Sequence, residues 1–148
     1  MKRKLLIAAT SFMIASSVCG KDFNVLTKDF QPWGNTQFDM EGMKITWTQK
    51  WQGGGIIWWL AQDCSEYESA RIEFREVLPM DVVFIVIYSA KDERNEKLKS
   101  KVTIPAGKKE AAIMLDITYK KSIDGLGISG SKPGTVCVKS LVLEEMKR

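Results

Sequence analysis

The chain has 148 residues, of which 45% are hydrophobic and 27% are charged. This composition is typical of a folded domain and excludes a disordered or collagen-like chain. Histidine is absent. Its absence excludes Ser-His-Asp and Cys-His catalysis, histidine-ligated zinc and histidine pH switches.

The N-terminus has the pattern of a secretory signal peptide. Three cations, Lys2, Arg3 and Lys4, precede an uncharged, mostly apolar stretch from Leu5 to Val18. This stretch is shorter than the roughly 18–20 residues that cross a bilayer, and it fits a signal peptide better than a membrane span. We therefore predict a signal peptide over residues 1–20 and a single exported domain over residues 21–148.

Two cleavage routes are open, and they differ in the fate of Cys19. Ordinary signal peptidase could cut after Gly20 and discard this cysteine. The segment from Ser16 to Gly20 also resembles the lipobox of bacterial lipoproteins, in which the cysteine becomes the acylated first residue, although Val18 departs from the usual glycine or alanine. The predicted location is the periplasm, the extracellular space, or the outer membrane through a lipid anchor on Cys19.

The net charge gives no support for nucleic-acid binding. Without the three leader cations, 19 Lys and Arg residues stand against 18 Asp and Glu residues, a net charge of +1. The basicity of the full chain therefore belongs to its leader.

Two further cysteines, Cys64 and Cys137, remain by either cleavage route. In an oxidising compartment such a pair is a candidate disulfide. The alternative is a pair of separate thiols that pack as small apolar groups.

Short apolar segments between turn residues predict an all-β fold of about eight to nine antiparallel strands, a sandwich or barrel. The predicted strands are Phe38–Glu41, Met43–Thr48, Gly55–Leu60, Glu68–Glu76, Val82–Ala90, Lys99–Ile104, Glu110–Ile117, Gly125–Ser129 and Thr135–Leu143. Residues 21–37 are the least regular part, and one interpretation is that they wrap an edge of the sheet.

Hydrophobic alternation assigns burial within these strands. Ala70, Ile72 and Phe74 alternate with charged residues, so they are predicted to face the core. Trp47 falls on the apolar face of its strand and is also predicted to be core. The strand Val82–Ala90 is apolar on both faces, which predicts a central strand whose outer face is covered or lines a groove.

The tryptophans are clustered between residues 33 and 59. They are Trp33, Trp47, Trp51, Trp58 and Trp59. An exposed indole offers a flat apolar plane that matches the C–H face of a pyranose ring, and amide side chains nearby supply hydrogen bonds. This pattern favours sugar binding, while packing in the core of the sandwich is the alternative for each tryptophan.

A glycine run follows Trp51. Gly53, Gly54 and Gly55 match no phosphate-binding motif. We predict that they form a bend or bulge entering the next strand, with Trp51 at a groove rim.

The segment from Gly53 to Leu60, the step Asp63-Cys64-Ser65-Glu66-Tyr67 and the final strand Gly134–Leu143 resemble jelly-roll carbohydrate-binding modules of the galactose-binding-like fold. The resemblance implies an antiparallel jelly-roll β-sandwich with sugar bound on the concave face or at the loop rim. If the strand Glu68–Glu76 lies in the concave sheet, Arg71 and Arg75 point into the groove, where Tyr88 could join them. Taken together, the predicted ligand-binding residues are Trp33, Trp51, Trp58, Trp59, Gln52, Gln62, Asp63, Arg71, Arg75 and Tyr88.

Members of this family often carry a structural calcium held partly by an aspartate in the last strand. Ser140 stands at about that place here, which argues against calcium, and no other cofactor is predicted.

The resulting hypothesis is non-catalytic binding of a polysaccharide or glycan, with no nucleic-acid partner. The alternative is a cell-surface structural or adhesive protein whose tryptophans are core and whose partner is a protein. A small glycan-degrading enzyme is the third possibility. Its best carboxylate pair would be Asp63 with Glu66 or Glu68, although these residues are placed for turn and capping roles.

Overall fold

A computed structural model describes residues 23–24, 30–33, 36–39 and 41–146. The predicted signal peptide and Cys19 lie outside the described residues. The elements are β1 (Phe23–Asn24), β2 (Phe30–Trp33), β3 (Gln37–Asp39), β4 (Lys44–Trp47), β5 (Gly53–Gln62), β6 (Tyr67–Phe74), β7 (Val82–Lys91), β8 (Lys97–Ile104), β9 (Glu110–Met114), β10 (Ile123–Gly130) and β11 (Gly134–Glu145).

The strands form two antiparallel sheets. The six-stranded sheet has the order β3-β4-β11-β6-β9, and β1 pairs with β11 in addition. The five-stranded sheet has the order β2-β5-β10-β7-β8. The predicted all-β antiparallel sandwich is therefore confirmed.

Each of the nine predicted strands is present, with ends shifted by a few residues. The structure adds β1 and β2, which come from the stretch that was interpreted as a wrap around an edge. Both belong to the sheets instead, since β2 pairs with β5 and β1 pairs with β11.

The core lies between the inner faces of the two sheets. Strict alternation places Ala70, Ile72 and Phe74 of β6 in this core, as predicted. Strand β7 contributes Val82, Phe84 and other alternate residues from the opposite sheet. The outer residues of β7 are half-buried rather than exposed, which agrees with the prediction of a strand that lines a groove.

The side chain of Trp47 packs between the two sheets. Its side chain is 1% exposed, which confirms the prediction that it is core. The indole lies directly on Gly130 of β10, where a β-carbon would lie 2.5 Å from the ring atom Cε3. Residue 130 must therefore lack a side chain for the indole to pack at this depth.

The predicted disulfide between Cys64 and Cys137 is absent, and both cysteines are free thiols. Cys64 lies just before β6, whereas Cys137 lies beyond its other end, since Val138 is paired with Phe74. The length of β6, at about 3.3 Å per residue, separates the two residues by about 20 Å. A disulfide requires Cα atoms within about 7 Å.

The described part of the chain contains no helical segment with the length and apolar character of a membrane span.

Candidate functional site

The outer face of the five-stranded sheet has a floor almost without side chains. The register places Gly127 opposite both Gly55 and Ile85, and Ser129 opposite both Gly53 and Val83. Residues directly opposite each other in antiparallel strands share a face. A shallow channel therefore runs along β5 and β10, and we call it the glycine trough. It consists of Gly53, Gly55, Gly125, Gly127 and Ser129, and Ile57 of β5 stands opposite Gly125 at its far end.

Glycines 53–55 do not form the predicted bend or bulge. They pair in an unshifted register with β10 on one side and with β2 on the other. Their absent side chains, rather than an irregular backbone, give the site its shape.

One wall of the glycine trough is built by β7 and β8. Val83 and Ile85 form its inner part, while Lys101 and Thr103 lie opposite them on the edge strand. Together with Ser129 and Trp51, these four residues line a depression of about 310 Å³. Apolar, hydroxyl and ammonium groups thus meet at one end of the trough.

Trp51 closes this end of the depression. Its side chain is 56% exposed, in agreement with its predicted place at a groove rim. The backbone adopts φ of 61°, a left-handed conformation that is uncommon outside glycine. Its amide donates to the Gly130 carbonyl at 2.6 Å. The exposed indole is therefore mounted on a fixed backbone.

Gln52 holds the loop that carries Trp51. Its Oε1 accepts hydrogen bonds from the Thr48 and Gln49 amides at 3.2 and 3.1 Å. Its carbonyl accepts from the Gly130 amide at 3.0 Å and from Ser129 Oγ at 3.0 Å. In this structure Gln52, predicted as a ligand contact, braces the loop instead of presenting its amide oxygen to the trough.

A carboxylate lies at the opposite end of β10. Asp124 is the extra residue of β10 at a register shift relative to β7, between Ile123 and Gly125, about 16 Å from Ser129 at the usual strand rise. It accepts hydrogen bonds from Ser89 Oγ at 2.5 Å and from the Lys97 ammonium. Burial raises the pKa of Asp124, but the bonds from Lys97 and Ser89 outweigh it and hold the pKa below its usual value.

Gln62 and Asp63 lie near the same end as Asp124. Gln62 is exposed at the end of β5 and is paired with Ile123. Asp63 follows it and accepts from the Ser65 amide at 2.9 Å and from Ser65 Oγ at 2.5 Å. These bonds lower the pKa of Asp63. Asp63 is therefore a turn residue in the structure.

Three predicted contacts lie away from the trough. Arg71 is on β6 in the other sheet, where it pairs with Glu144 at 2.9 Å and with Glu110 at 3.2 Å. Arg75 is exposed just beyond the end of β6. Both arginines lie away from the trough, because β6 belongs to the six-stranded sheet, and their predicted contact with a ligand stays a prediction.

Tyr88 is also misplaced by the sequence prediction. Its side chain is buried in the core at 1% exposure. Its hydroxyl lies 2.8 Å from Ser100 Oγ and accepts from the Asp116 amide at 2.9 Å. Tyr88 thus stabilises the interior and does not join a groove.

The remaining predicted residues are Trp33, Trp58 and Trp59. Trp33 is paired with Gly53 in the register of β2 and β5. Trp58 and Trp59 lie within β5. The positions of their side chains lie outside what the structure describes.

Sequence reasoning missed the β7–β8 wall as a set of site residues. Val83 and Ile85 carried a signal, since the two-sided apolar pattern of β7 predicted a groove without choosing the face. The alternation of lysine with less polar residues between Lys97 and Thr103 was a second signal, because every other residue of a strand points the same way.

Among the described residues, no group of three or more Cys, Asp or Glu side chains is placed to hold a metal ion. Burial raises the pKa of the Cys64 thiol to about 12, with contributions from Asp63 and Glu66. A thiol held protonated in this way is a poor nucleophile at neutral pH.

Several solved carbohydrate-binding modules are similar in structure to this chain. A low-affinity xylan-binding module, CBM86, from the gut symbiont Roseburia intestinalis superposes with a TM-score of 0.58, covering 88% of this chain and 97% of the module at 16% identity. The family 11 module of a cellulosomal cellulase of Clostridium thermocellum gives 0.59, with 88% and 97% covered at 14% identity. A family 29 module gives 0.54, with 86% and 87% covered at 16% identity.

A scan against protein-family models and a search of curated proteins give no match. The solved structures establish the fold: the chain is a jelly-roll β-sandwich of the type found in carbohydrate-binding modules, as the sequence resemblance implied.

Proposed function

We propose that this protein binds a glycan without catalysis, on the outer face of its five-stranded sheet. The observation that carries this proposal is the depression in which the exposed indole of Trp51 lies beside Ser129, at one end of the glycine trough. Such a channel admits a flat ring close to the backbone, and Trp51 offers it a stacking surface. The similarity of the fold to carbohydrate-binding modules supports the same conclusion.

The polar groups around the trough fit a hydroxylated ligand. Thr103, Ser129 and Lys101 line the depression beside apolar Val83 and Ile85, and Gln31 is exposed on β2, where it is paired with Gly55. A mainly apolar floor with a few hydrogen-bonding groups is the usual composition of a small-ligand site. The trough extends about 13 Å along β10 from Gly125 to Ser129, which suits an oligosaccharide better than a single sugar.

The state of Asp124 favours glycan binding over glycan hydrolysis. Glycoside hydrolysis requires a general acid with a raised pKa facing a second carboxylate. The pKa of Asp124 is instead low, and its carboxylate is engaged by Lys97 and Ser89. Asp63, the best catalytic candidate from sequence, is bound to Ser65 in a turn.

We also propose that the protein works outside the cytoplasm. The cation-rich start and the apolar stretch from Leu5 to Val18 support export, and Cys19 is the residue that would carry a lipid anchor. A glycan-binding role fits this location because polysaccharides surround the cell.

The test is a comparison of residues 21–148 with the variants Trp51→Ala and Ile117→Ala, by isothermal titration with a panel of soluble plant, algal and bacterial polysaccharides. Ile117 is 81% exposed in the turn between β9 and β10, so its truncation controls for the loss of an exposed apolar side chain. We expect Trp51→Ala to weaken binding by at least about tenfold, as for a tryptophan at the centre of an interface.

Ile117→Ala should bind like the unaltered protein. If no polysaccharide in the panel binds, or if Trp51→Ala binds as tightly as the parent, the proposal is wrong. That result would favour the alternative of a structural or adhesive protein, which predicts binding to a protein partner instead of a polysaccharide.

A further inference from the structure

We propose that the glycan bound in the trough is anionic, carrying carboxylate or sulfate groups. This inference rests on the proposed glycan-binding function and specifies its ligand class. The observation behind it is a row of cations on β8, which we call the lysine edge: Lys97, Lys99 and Lys101.

The lysine edge lies along the same face as the trough. From Lys97 to Thr103 the residues of β8 alternate between exposed and half-buried, and the exposed ones are the three lysines and Thr103. Lys101 is paired with Ile85 and Lys99 with Ile87, and Ile85 and Ile87 are themselves paired with Gly127 and Gly125 of the trough. Strand β7 therefore lies between these two lysines and the trough floor, and its isoleucine side chains separate each ammonium group from the glycines.

Two of the three lysines have no ion-pair partner in the part of the chain that the structure describes. Lys97 is paired with Asp124. Lys99 and Lys101 form no ion pair with any of the described residues, whereas Arg71 and Lys139 on the other sheet are both paired with glutamates. The mature chain is nearly neutral, so this excess is a local feature and not a reflection of overall charge.

The lysine edge has an alternative explanation. Lysines on an edge strand prevent that strand from pairing with a strand of another chain. That role requires a charge of either sign. It does not require the charge to line the depression beside Trp51 and Thr103, as Lys101 does. Reversing the sign of the charge therefore separates the two roles.

The experiment uses pairs of polymers that share a backbone and differ in charge: polygalacturonate with its highly methyl-esterified form, and carrageenan with desulfated carrageenan. We expect tighter binding of the charged member of at least one pair, by about tenfold or more, and a decrease in its affinity as sodium chloride rises from about 50 to about 500 mM. The first pair tests carboxylate and the second tests sulfate.

Variants locate the effect. The double variant Lys99→Gln with Lys101→Gln should lose about tenfold in affinity for the charged polymer, while Lys99→Glu with Lys101→Glu should lose more and remain monomeric. The matched control is Lys44→Gln with Lys139→Gln, which removes two charges from the outer face of the other sheet and should bind unchanged.

Three results would overturn the inference. Equal or tighter binding of the uncharged polymers, lost in Trp51→Ala, would leave the proposed function intact and remove only the anionic preference. Equal binding of polyaspartate, with the same dependence on Lys99 and Lys101, would make the lysine edge a general anion surface. Binding of none of these polymers, while a neutral polysaccharide of the wider panel binds, would also remove only the anionic preference. If nothing in the wider panel binds either, the glycan-binding function is rejected as well.

Discussion

The outer faces of the two sheets differ in the residues that occupy their outward-pointing positions. On the six-stranded sheet, Arg71 bridges Glu144 and Glu110, and Lys139 pairs with Glu73. Its charges are matched with one another. On the five-stranded sheet the corresponding places hold glycines, Val83, Ile85 and an excess of lysines.

This difference supports the proposal that the ligand binds on the five-stranded sheet. Surface ion pairs contribute about 0–1 kcal/mol each and chiefly keep a sheet face wetted and satisfied. A row of glycines in a strand interior costs stability, since glycine loses more conformational freedom than other residues and packs nothing. Glycine in a strand interior often marks a place where a ligand or another backbone approaches closely.

The largest expected effect concerns the interior that both faces share. Trp47→Ala should lower the free energy of unfolding by about 3–5 kcal/mol, because it empties the space between β4 and Gly130 where the two sheets meet. Arg71→Ala, on the outer face of the same sheet, should cost about 1 kcal/mol or less. Urea unfolding followed by circular dichroism measures both.

If Arg71→Ala costs as much as Trp47→Ala, the ion-paired face is a structural element in its own right, and the contrast drawn between the two faces is wrong.

The second prediction fills the trough. Gly127→Val places a branched side chain on its floor opposite Ile85 and should weaken glycan binding by at least about tenfold, because the ligand can no longer reach the backbone. Stability should change little, since valine is favourable in strands. Ala112→Val, on the exposed outer face of β9, is the matched control and should bind normally. Equal binding by both variants would show that the trough is not the site.

The smallest effect is a pH dependence from Asp124. The folded-state pKa of this carboxyl lies below its ordinary value of 3.8. Its ionised form therefore stabilises the fold above about pH 4, and this contribution disappears as the pH falls through the lower folded-state pKa. Asp124→Asn should cost about 1 kcal/mol at neutral pH, and the difference from the parent should shrink below pH 3.8. Urea unfolding of both chains across this pH range measures it.

Glu93→Gln, in the exposed turn between β7 and β8, serves as the control and should show no such convergence. A difference between Asp124→Asn and the parent that stays constant with pH would mean that the carboxylate charge contributes nothing through Lys97 and Ser89.

Local pattern was enough to predict the strands and much of the core. Alternation alone placed Ile72 and Phe74 inside and Arg71 outside, because it depends only on the period of a strand. It could not tell which sheet β6 would join, since that is decided by pairing with β11 and β9, distant in the chain. For this reason the sequence could not place Arg71 relative to the trough.

Other errors have equally specific causes. In β7 both faces are apolar, so the pattern could not distinguish buried Tyr88 from the outer residues Val83 and Ile85. The distance between Cys64 and Cys137 depends on the direction of β6 relative to β11, which spacing along the chain does not reveal. The exposure of Trp51 agrees with its predicted place at a groove rim, although the glycine run beside it pairs as a regular strand and forms no bend.

The pairing of β1 with β11 also has a mechanical consequence. Phe23 is paired with Leu143 and Asn24 with Val142, so the first and last described strands leave the six-stranded sheet at the same end. A force applied across them unzips this short ladder one hydrogen bond at a time, and the load then passes into β11, between β4 and β6. On the N-terminal side, the strand that follows β1 in the chain is β2, which pairs with Gly53 to Gly55. A force that releases β1 would therefore act next on the edge strand beside the trough.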